Sequence, residues 1–331
     1  MVEIRSEQEI LATLDENGAL EGLPFMPEML KFCGQRFRVH KRADKTCDTI
    51  DWTGLRRMKN AVHLQNLRCD GSAHGGCQAG CLFFWKDAWI KPLDAREDSP
   101  MSSGARGQEQ HSMARKRETR TSRETLMRAT RVHGSTEDGP VYSCQATCLK
   151  TATTPLPWWR PLQYFRDVWS RNISLRDLLK GLAILTFNKF QAANRKFIPG
   201  LLLIHGGVKY PFIEGTLLKT PKETQDLQPG ELVRIRSKEE ILRTLDTEKR
   251  NRGLSFDREM LRYCGRQARV LRRVERLIDE KSGEMTFIKS DCIILEGIYC
   301  RADYHEFCPR SIYHYWREIW LERVQPEPVV D

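Results

Sequence analysis

The sequence of 331 residues lacks a long apolar run, and this absence limits the classes of protein to which it can belong. No stretch reaches the roughly 18–20 apolar residues that a membrane-spanning helix needs. The opening residues, Met1 to Ser6, show no positively charged segment followed by an apolar one, so we expect no signal peptide. We therefore predict a cytoplasmic protein without a transmembrane segment.

The sequence also lacks the short motifs that mark several large enzyme classes. It contains no G-x4-G-K-[ST] phosphate loop, no G-x-G-x-x-G, no H-E-x-x-H and no G-x-S-x-G. Nucleotide-binding loops, zinc-peptidase helices and serine-hydrolase elbows of these types are thereby excluded. The absences leave a catalytic role open, but they favour a protein without enzymatic activity.

Cysteine and positive charge are present in excess. Eleven cysteines in a cytoplasmic protein indicate metal binding or redox chemistry rather than a disulfide framework. The net charge of +10 permits an anionic partner, for which nucleic acid is the first expectation. We do not expect peripheral membrane contact, because interfacial helices usually carry more Lys and Arg on a well-separated polar face.

A shift of 231 positions aligns residues 2–90 with residues 233–321 without a gap. Of the 89 aligned pairs, 28 are identical, whereas chance would give about 5 or 6. The sequence therefore predicts two copies of one module.

Both copies contain the spacing C-x4-H-x2-C, and each has one further aligned cysteine upstream. Three thiolates and one imidazole form a closed tetrahedral zinc set, and thiolates select zinc or iron–sulfur over magnesium or calcium. We predict two structural zinc sites, with an iron–sulfur centre as the less favoured alternative. The predicted ligands are Cys33, Cys69, His74 and Cys77 in the first copy and Cys264, Cys300, His305 and Cys308 in the second.

Several further cysteines and one histidine have no identical partner in the other copy. Cys47, His63 and Cys81 align with isoleucines, and Cys144 and Cys148 lie outside the repeat. These five residues are additional metal-ligand candidates. The first three could rearrange the first site or make it reactive, and Cys144 and Cys148 could supply a further pair of ligands. The alternative is that they are buried small side chains.

Local patterns predict an α+β fold for each copy. Ser6 with Glu9, and Ser237 with Glu240, form the capping-box pattern of a helix start after a short strand. The segment from Pro229 to Arg236 resembles the first strand of small SH3-like barrels of the KOW type, which implies a fold and no activity. We predict tandem duplicated SH3-like or β-meander modules with short helices, each stapled by zinc.

Composition divides the chain into five parts. Residues 1–90 form the N-terminal module and residues 199–325 the C-terminal module, with its core at 233–321. Residues 91–140 are rich in Ser, Arg, Gly and Thr and poor in large apolar residues, which predicts a basic disordered linker. Residues 141–198 form an aromatic-rich helical connector, and 326–331 form a tail.

These patterns support three functional hypotheses. The first is a non-catalytic zinc-binding interaction protein, with nucleic acid as the expected partner class. The second is a metalloenzyme or redox protein with its active metal in the N-terminal module. The third is an accessory or scaffold protein of a biosynthetic pathway that binds a protein partner through its aromatic centre. Trp158, Trp159, Trp316 and Trp320 are either core residues or a stacking platform for bases.

Overall fold

The computed structural model describes residues 1–93, 121–132, 139–197 and 203–324. The protein is mixed α/β, with many small antiparallel sheets and few helices. Most of the predicted linker and the whole predicted tail lie outside the described residues.

The N-terminal unit, residues 2–92, consists mainly of short strands. They are β1 (Val2–Ile4), β2 (Ala19–Leu20), β3 (Leu23–Pro24), β4 (Arg36–Phe37), β5 (Val39–Arg42), β6 (Lys45–Cys47), β7 (Leu55–Arg57), β8 (Ala61–Leu64), β9 (Trp85–Lys86) and β10 (Ile90–Pro92). Two three-stranded sheets, ordered β10-β1-β4 and β5-β8-β9, enclose its core.

The central segment contributes β11 (Thr154–Leu156), which pairs with β7 of the N-terminal unit. The C-terminal unit, residues 232–323, contains nine further strands. They are β12 (Leu232–Ile235), β13 (Arg250–Asn251), β14 (Leu254–Ser255), β15 (Gln267–Arg273), β16 (Arg276–Ile278), β17 (Met285–Phe287), β18 (Ile293–Tyr299), β19 (Tyr313–Trp316) and β20 (Leu321–Arg323). Five of them form one antiparallel sheet ordered β19-β18-β15-β12-β20.

Six α-helices and five 3-10 helices occur in the described ranges. The α-helices are α1 (Glu7–Leu11), α2 (Arg123–Ala129), α3 (Leu149–Ala152), α4 (Leu162–Trp169), α5 (Leu175–Phe197) and α6 (Lys238–Leu242). The 3-10 helices are Pro27–Phe32, Asp87–Trp89, Ile204–Gly207, Arg258–Tyr263 and Glu318–Trp320. No α-helix in the described part of the chain is long and apolar enough to cross a membrane.

Many elements of the two units begin and end 231 positions apart. Adding 231 to the bounds of α1 gives those of α6, and adding 231 to the bounds of β10 gives those of β20. Both helices start with the capping box that the sequence predicted, in which a serine side chain accepts from the backbone of the third helical residue.

Each unit has its own core around two tryptophans. Trp85 and Trp89 are fully buried beside Phe25, and Trp316 and Trp320 are fully buried in the C-terminal unit. The indole of Trp89 donates to the Thr13 hydroxyl at 3.0 Å, and that of Trp320 donates to the equivalent Thr244 at 2.8 Å. Trp316 and Trp320 are therefore core residues and offer no stacking surface.

The two units contact each other through paired interactions. The Cys47 backbone N–H donates to Cys308 Sγ at 3.1 Å, and the Ile278 N–H donates to Cys77 Sγ at 3.4 Å. Residue 278 is 47 plus 231, and residue 308 is 77 plus 231. Reciprocal contacts of this kind are characteristic of an interface with two-fold symmetry. The C-x4-H-x2-C loop of the C-terminal unit therefore lies against β6 of the N-terminal unit, and the equivalent loop of the N-terminal unit lies against β16 of the C-terminal unit.

The connector docks on both units. In α4, the Asp167 carboxylate pairs with Lys45 of the N-terminal unit, with 2.6 Å between Oδ2 and Nζ. In α5, Gly181 packs against Phe307 of the C-terminal unit, and an added Cβ would lie 2.2 Å from the phenylalanine ring. The helices of the connector therefore pack against both units of the protein.

Two ordered elements occur in the part of 91–140 that the structure describes, whereas most of the predicted linker lies outside that part. Ile90–Pro92 is a strand paired with β1, and α2 inserts Leu126 fully into the N-terminal core. One leucine in a strongly polar segment gives a weak sequence signal, yet its burial is enough to hold this short helix against the unit.

Candidate metal centres

The C-x4-H-x2-C segment forms the same tight loop in both units. The His74 N–H donates to the Gly71 carbonyl at 2.9 Å, and the His305 N–H donates to the equivalent Ala302 carbonyl at 3.3 Å. Gly71 has a φ of +80°, and a Cβ there would lie 1.9 Å from the Cys77 carbonyl oxygen. The loop therefore holds its first cysteine and its histidine on one side of a compact turn.

Each loop meets a buried glutamate from the preceding 3-10 helix. The donor atoms of each group lie within 4.8 Å of one another, a separation that a single metal ion can span. The two groups are related by the 231-residue offset. They are Glu28, Cys69 and His74 in the N-terminal unit and Glu259, Cys300 and His305 in the C-terminal unit.

The N-terminal group is closed. His74 is fully buried, and its Nδ1 lies 2.8 Å from the Tyr142 carbonyl oxygen. Its Nε2 faces Glu28 Oε2 at 3.5 Å. Both Glu28 oxygens and His74 Nε2 lack a hydrogen-bond partner of normal geometry among the described residues. Unpaired buried polar atoms are costly, so their convergence fits a site for a cation.

The C-terminal group is more open and carries an extra carboxylate. The His305 side chain is 37% exposed, and its Nε2 lies 3.3 Å from Asp257 Oδ2. Its Nδ1 lies 3.6 Å from Cys300 Sγ. Glu259 accepts a 2.6 Å hydrogen bond from the Tyr304 N–H.

The electrostatics of the C-terminal group follow from these contacts. Burial lowers the pKa of His305, but the hydrogen bonds to Asp257 and Cys300 outweigh it and raise the pKa well above its usual range. Burial raises the pKa of Glu259 to about 7. A bound cation would favour the deprotonated thiol and carboxylate, as metal ligation requires.

The predicted upstream ligands are not part of either group. Cys33 and Cys264 pack against the cores of their own units. Burial, followed by the charge of Glu7 in α1, raises the pKa of Cys33 to about 11, and burial with Glu239 in α6 does the same for Cys264. Their assignment as metal ligands remains a prediction.

The last cysteine of each loop lies at the interface between the units. Cys77 Sγ accepts from the Ile278 N–H, and Cys308 Sγ accepts from the Cys47 N–H. Burial opposes ionisation of Cys308, but hydrogen bonds from Cys47 and the Arg310 backbone, with the Arg310 charge, lower its pKa. The same contact raises the pKa of Cys47, so the two thiols titrate as a pair.

Two of the additional cysteines lie close to the N-terminal group. Cys69, Cys81 and Cys144 line one small enclosed cavity with Arg310. The Cys69 N–H donates to the Cys81 carbonyl at 2.8 Å, and Cys144 Sγ accepts from the Ala146 N–H at 3.4 Å. The sequence could not place Cys144 here, because it lies outside the repeat.

Other candidates have separate environments. His63 is fully buried, its Nδ1 lies 2.9 Å from the Phe83 carbonyl oxygen, and burial lowers its pKa to about 3. Cys148 is partly buried beside the Thr147 hydroxyl. Cys47 contacts Cys308 of the other unit.

The two glutamates are not among the ligands predicted from the sequence, which are all cysteine or histidine. Glu28 and Glu259 are nevertheless an identical pair at the 231-residue offset. Carboxylate oxygen is an ordinary zinc ligand, so an identical acidic pair was a usable signal.

Comparison of the chain with protein-family models, with curated proteins and with solved structures found no match.

Proposed function

We propose that this protein is a non-catalytic zinc-binding interaction protein, built from two copies of one SH3-like module, that binds nucleic acid. The observation that carries the metal assignment is the pair of glutamate, cysteine and histidine groups at equivalent positions. Sulfur with imidazole nitrogen is a donor set that zinc prefers. In each module the cysteine and histidine hold one zinc ion, with the glutamate available as a further donor.

The duplication is supported by the common order of elements and by the reciprocal contacts between the units. An isologous interface arises naturally when two copies of one self-associating module are joined in one chain. Two equivalent metal groups favour a structural role, in which each ion fixes its loop against the preceding 3-10 helix. A small module gains much stability from such a ligand cluster.

The partner assignment is supported by an aromatic face on the connector, defined by Trp159, Phe165 and Trp169. All three side chains are exposed, Trp169 by 92%. Arg160 and Arg166 directly follow Trp159 and Phe165 in the sequence, and they line a cleft with Arg57. Aromatic side chains next to unpaired cations are typical of surfaces that bind single-stranded nucleic acid.

These arginines are available for a partner. Within the described ranges, Arg57, Arg160 and Arg166 form no ion pair, whereas Arg42 in the same cleft pairs with Asp44 and Asp87. Phosphate groups would supply the missing counter-charges.

The test is binding of a fluorescently labelled single-stranded oligonucleotide, measured by anisotropy over a range of salt concentrations. Replacing Trp169→Ala should weaken binding about tenfold, the loss expected for one stacked base. Trp52→Ala is the matched control, because Trp52 is an exposed tryptophan of the N-terminal unit outside the aromatic face. Arg166→Gln should reduce the salt slope by about 1.

Absence of salt-dependent binding at about 50 mM salt would contradict the nucleic-acid assignment. Equal effects of Trp169→Ala and Trp52→Ala on oligonucleotide binding would show that the aromatic face is not the binding surface. Capture of a protein partner that is lost with Trp169→Ala, without oligonucleotide binding, would instead support the scaffold hypothesis. Wild-type protein isolated without zinc would overturn the metal assignment.

A further inference from the structure

A cleft of about 210 Å³ lies between α5 and the C-x4-H-x2-C loop of the C-terminal unit. Helix α5 lines one side through residues 181–192, and the loop lines the other through residues 303–307. This cleft shares no lining residue with the cleft of Arg57, Arg160 and Arg166. Pockets for drug-sized ligands measure roughly 300–1,000 Å³, so this smaller cleft suits a small ligand or one group of a larger one.

Three cationic side chains from separate segments of the chain line this cleft. Lys189 lies on α5, and Lys209 follows the 3-10 helix Ile204–Gly207. Arg258 is the first residue of the 3-10 helix Arg258–Tyr263. The fold therefore gathers positive charge from three distant parts of the sequence.

These cations lie close enough to repel one another. Burial, followed by the charges of Arg258, Lys189 and Lys249, lowers the pKa of Lys209. Burial and the charge of Arg258 also lower the pKa of Lys249, although Glu214 opposes this shift. Like charges at close range are unfavourable, so a negatively charged ligand would relieve the repulsion.

None of the three lining cations has an ion-pair partner among the residues that the structure describes. Lys189 Nζ instead lies 5.1 Å from the centre of the Trp158 ring. Lys209 and Arg258 form no side-chain hydrogen bond within the same ranges. The carboxylate of Asp257, which precedes Arg258, pairs with the histidine of the C-terminal metal group. The three cations are thus available to an anion.

Two carboxylates also line the cleft, but they do not balance its positive charge. Asp303 pairs with Arg262 outside the cleft, with 2.7 Å between Oδ2 and Nη1. Glu306 is therefore the only lining carboxylate without an ion pair in the described ranges. One such carboxylate against three cations leaves the cleft with an excess of positive charge.

Apolar side chains complete much of the lining. Ile184 and Leu185 of α5 lie on one side, and the aromatic rings of Tyr304 and Phe307 lie on the other. Apolar surroundings lower the local dielectric constant, which strengthens the attraction between the cations and an anion. The same surfaces can hold the carbon skeleton of a molecule that carries the anionic group.

We propose that this cleft binds a phosphate group through Lys189, Lys209 and Arg258. A phosphomonoester carries about 1.5 to 2 negative charges at pH 7 and three acceptor oxygens, which matches three cationic donors. The arginine can bind two of these oxygens by parallel hydrogen bonds, and each lysine supplies a point charge. The site is separate from the aromatic face and goes beyond the proposed function. The phosphate belongs either to a free phosphorylated molecule or to the end of a nucleic-acid strand.

Isothermal titration of the full-length protein with inorganic phosphate, at pH 7 and constant ionic strength, tests the site. We expect a dissociation constant below about 1 mM for the wild-type protein. Lys209→Gln should weaken binding at least about tenfold, because it removes a charge-assisted hydrogen bond. Lys289→Gln is the matched control, since Lys289 is an exposed lysine outside the cleft. Glu306→Gln should tighten binding about threefold, because it removes a negative charge from the cleft.

Absence of phosphate binding up to about 10 mM overturns the proposal. Equal affinities of the wild-type, Lys209→Gln and Glu306→Gln proteins overturn it as well. The two replacements should act in opposite directions, so a general loss of folding cannot imitate the expected result. The titration does not involve the aromatic face, so its outcome is independent of the oligonucleotide test with Trp169→Ala.

The source of the phosphate is identified with a pair of oligonucleotides that differ only at the 5′ end. Tighter binding of the 5′-phosphorylated strand than of the 5′-hydroxyl strand, lost with Lys209→Gln, assigns the site to a strand end. Equal affinities of the two strands, together with binding of inorganic phosphate, assign it to a free phosphorylated molecule.

Discussion

The N-terminal and C-terminal metal groups share a loop spacing, a glutamate and a turn, but they differ in what covers them. His74 is fully buried beneath the Tyr142 backbone, whereas the His305 side chain is 37% exposed and paired with Asp257. Tyr142 belongs to the segment before α3, and the C-terminal loop faces α5 through Phe307 instead. The repeated sequence therefore sets the arrangement of the donors, while the central segment determines how accessible each group is.

The largest difference in stability loss between equivalent positions of the two units should be found at Lys45 and Arg276. The Lys45 and Asp167 side chains are only 4% and 6% exposed, and their charged atoms are 2.6 Å apart. Among the residues that the structure describes, the only hydrogen bond of the Arg276 guanidinium is the one to the Gly75 carbonyl, at 3.5 Å. Lys45→Met should cost about 3–5 kcal/mol by leaving a buried carboxylate unpaired, whereas Arg276→Met should cost at most about 1 kcal/mol.

Urea unfolding at pH 8 measures both costs. Burial raises the pKa of Asp167 to about 6 even with Lys45 beside it, so the carboxylate is ionised at pH 8 in the wild-type protein and, without Lys45, must either stay unpaired or take up a proton. Asp167→Asn should recover part of the loss in a Lys45→Met background, because it removes the unpaired charge. Equal losses of unfolding free energy for Lys45→Met and Arg276→Met would show that the ion pair with Asp167 does not make the N-terminal position more important for stability.

A smaller difference between the units concerns how their stability depends on acid pH. His63 of the N-terminal unit is equivalent to Ile294 of the C-terminal unit, which does not titrate. Burial lowers the pKa of His63 to about 3, whereas an unfolded histidine titrates at about 6.5. Between these values the unfolded state binds the additional proton, so stability falls as the pH decreases from about 6.5.

At pH 5, His63 should have reduced stability by about 2 kcal/mol relative to pH 7. His63→Ile should remove this part of the pH dependence, although the isoleucine also loses the hydrogen bond to Phe83. Urea unfolding of both proteins at pH 7 and pH 5 gives the difference, with replacement of the exposed His205 (His205→Gln) as the control. An unchanged pH dependence in His63→Ile would assign the acid sensitivity to other groups.

The sequence predicts local structure well where local chemistry decides it. The capping boxes of Ser6 and Ser237 occur as predicted because a side-chain hydroxyl and a glutamate three residues later satisfy the helix start without tertiary help. The loop pairs Cys69 with His74 and Cys300 with His305 are likewise adjacent, since their spacing within one turn brings them together.

Other placements depend on tertiary contacts that the sequence does not reveal. Cys47 aligns with Ile278 and has no identical partner at the 231-residue offset, yet the reciprocal interface brings its backbone N–H to Cys308 Sγ of the other unit. Alignment of two copies identifies residues that they share, but not contacts that a residue of one copy makes with the other copy. The sequence also does not indicate that Leu126 is a core residue, because a single buried leucine leaves no periodic pattern.

The smallest expected contrast is the rate at which the two proposed zinc ions are lost to a chelator. The N-terminal ion should leave at least about tenfold more slowly, a difference of about 1.4 kcal/mol in activation free energy. The reason is access: the loop must open before solvent reaches His74, whereas the edge of His305 already faces solvent. Zinc release to a coloured chelator, followed in His74→Ala and His305→Ala proteins that each retain one intact site, measures the two rates separately. Slower release from His74→Ala protein, which retains the C-terminal site, than from His305→Ala protein would mean that burial of the histidine does not control the exchange.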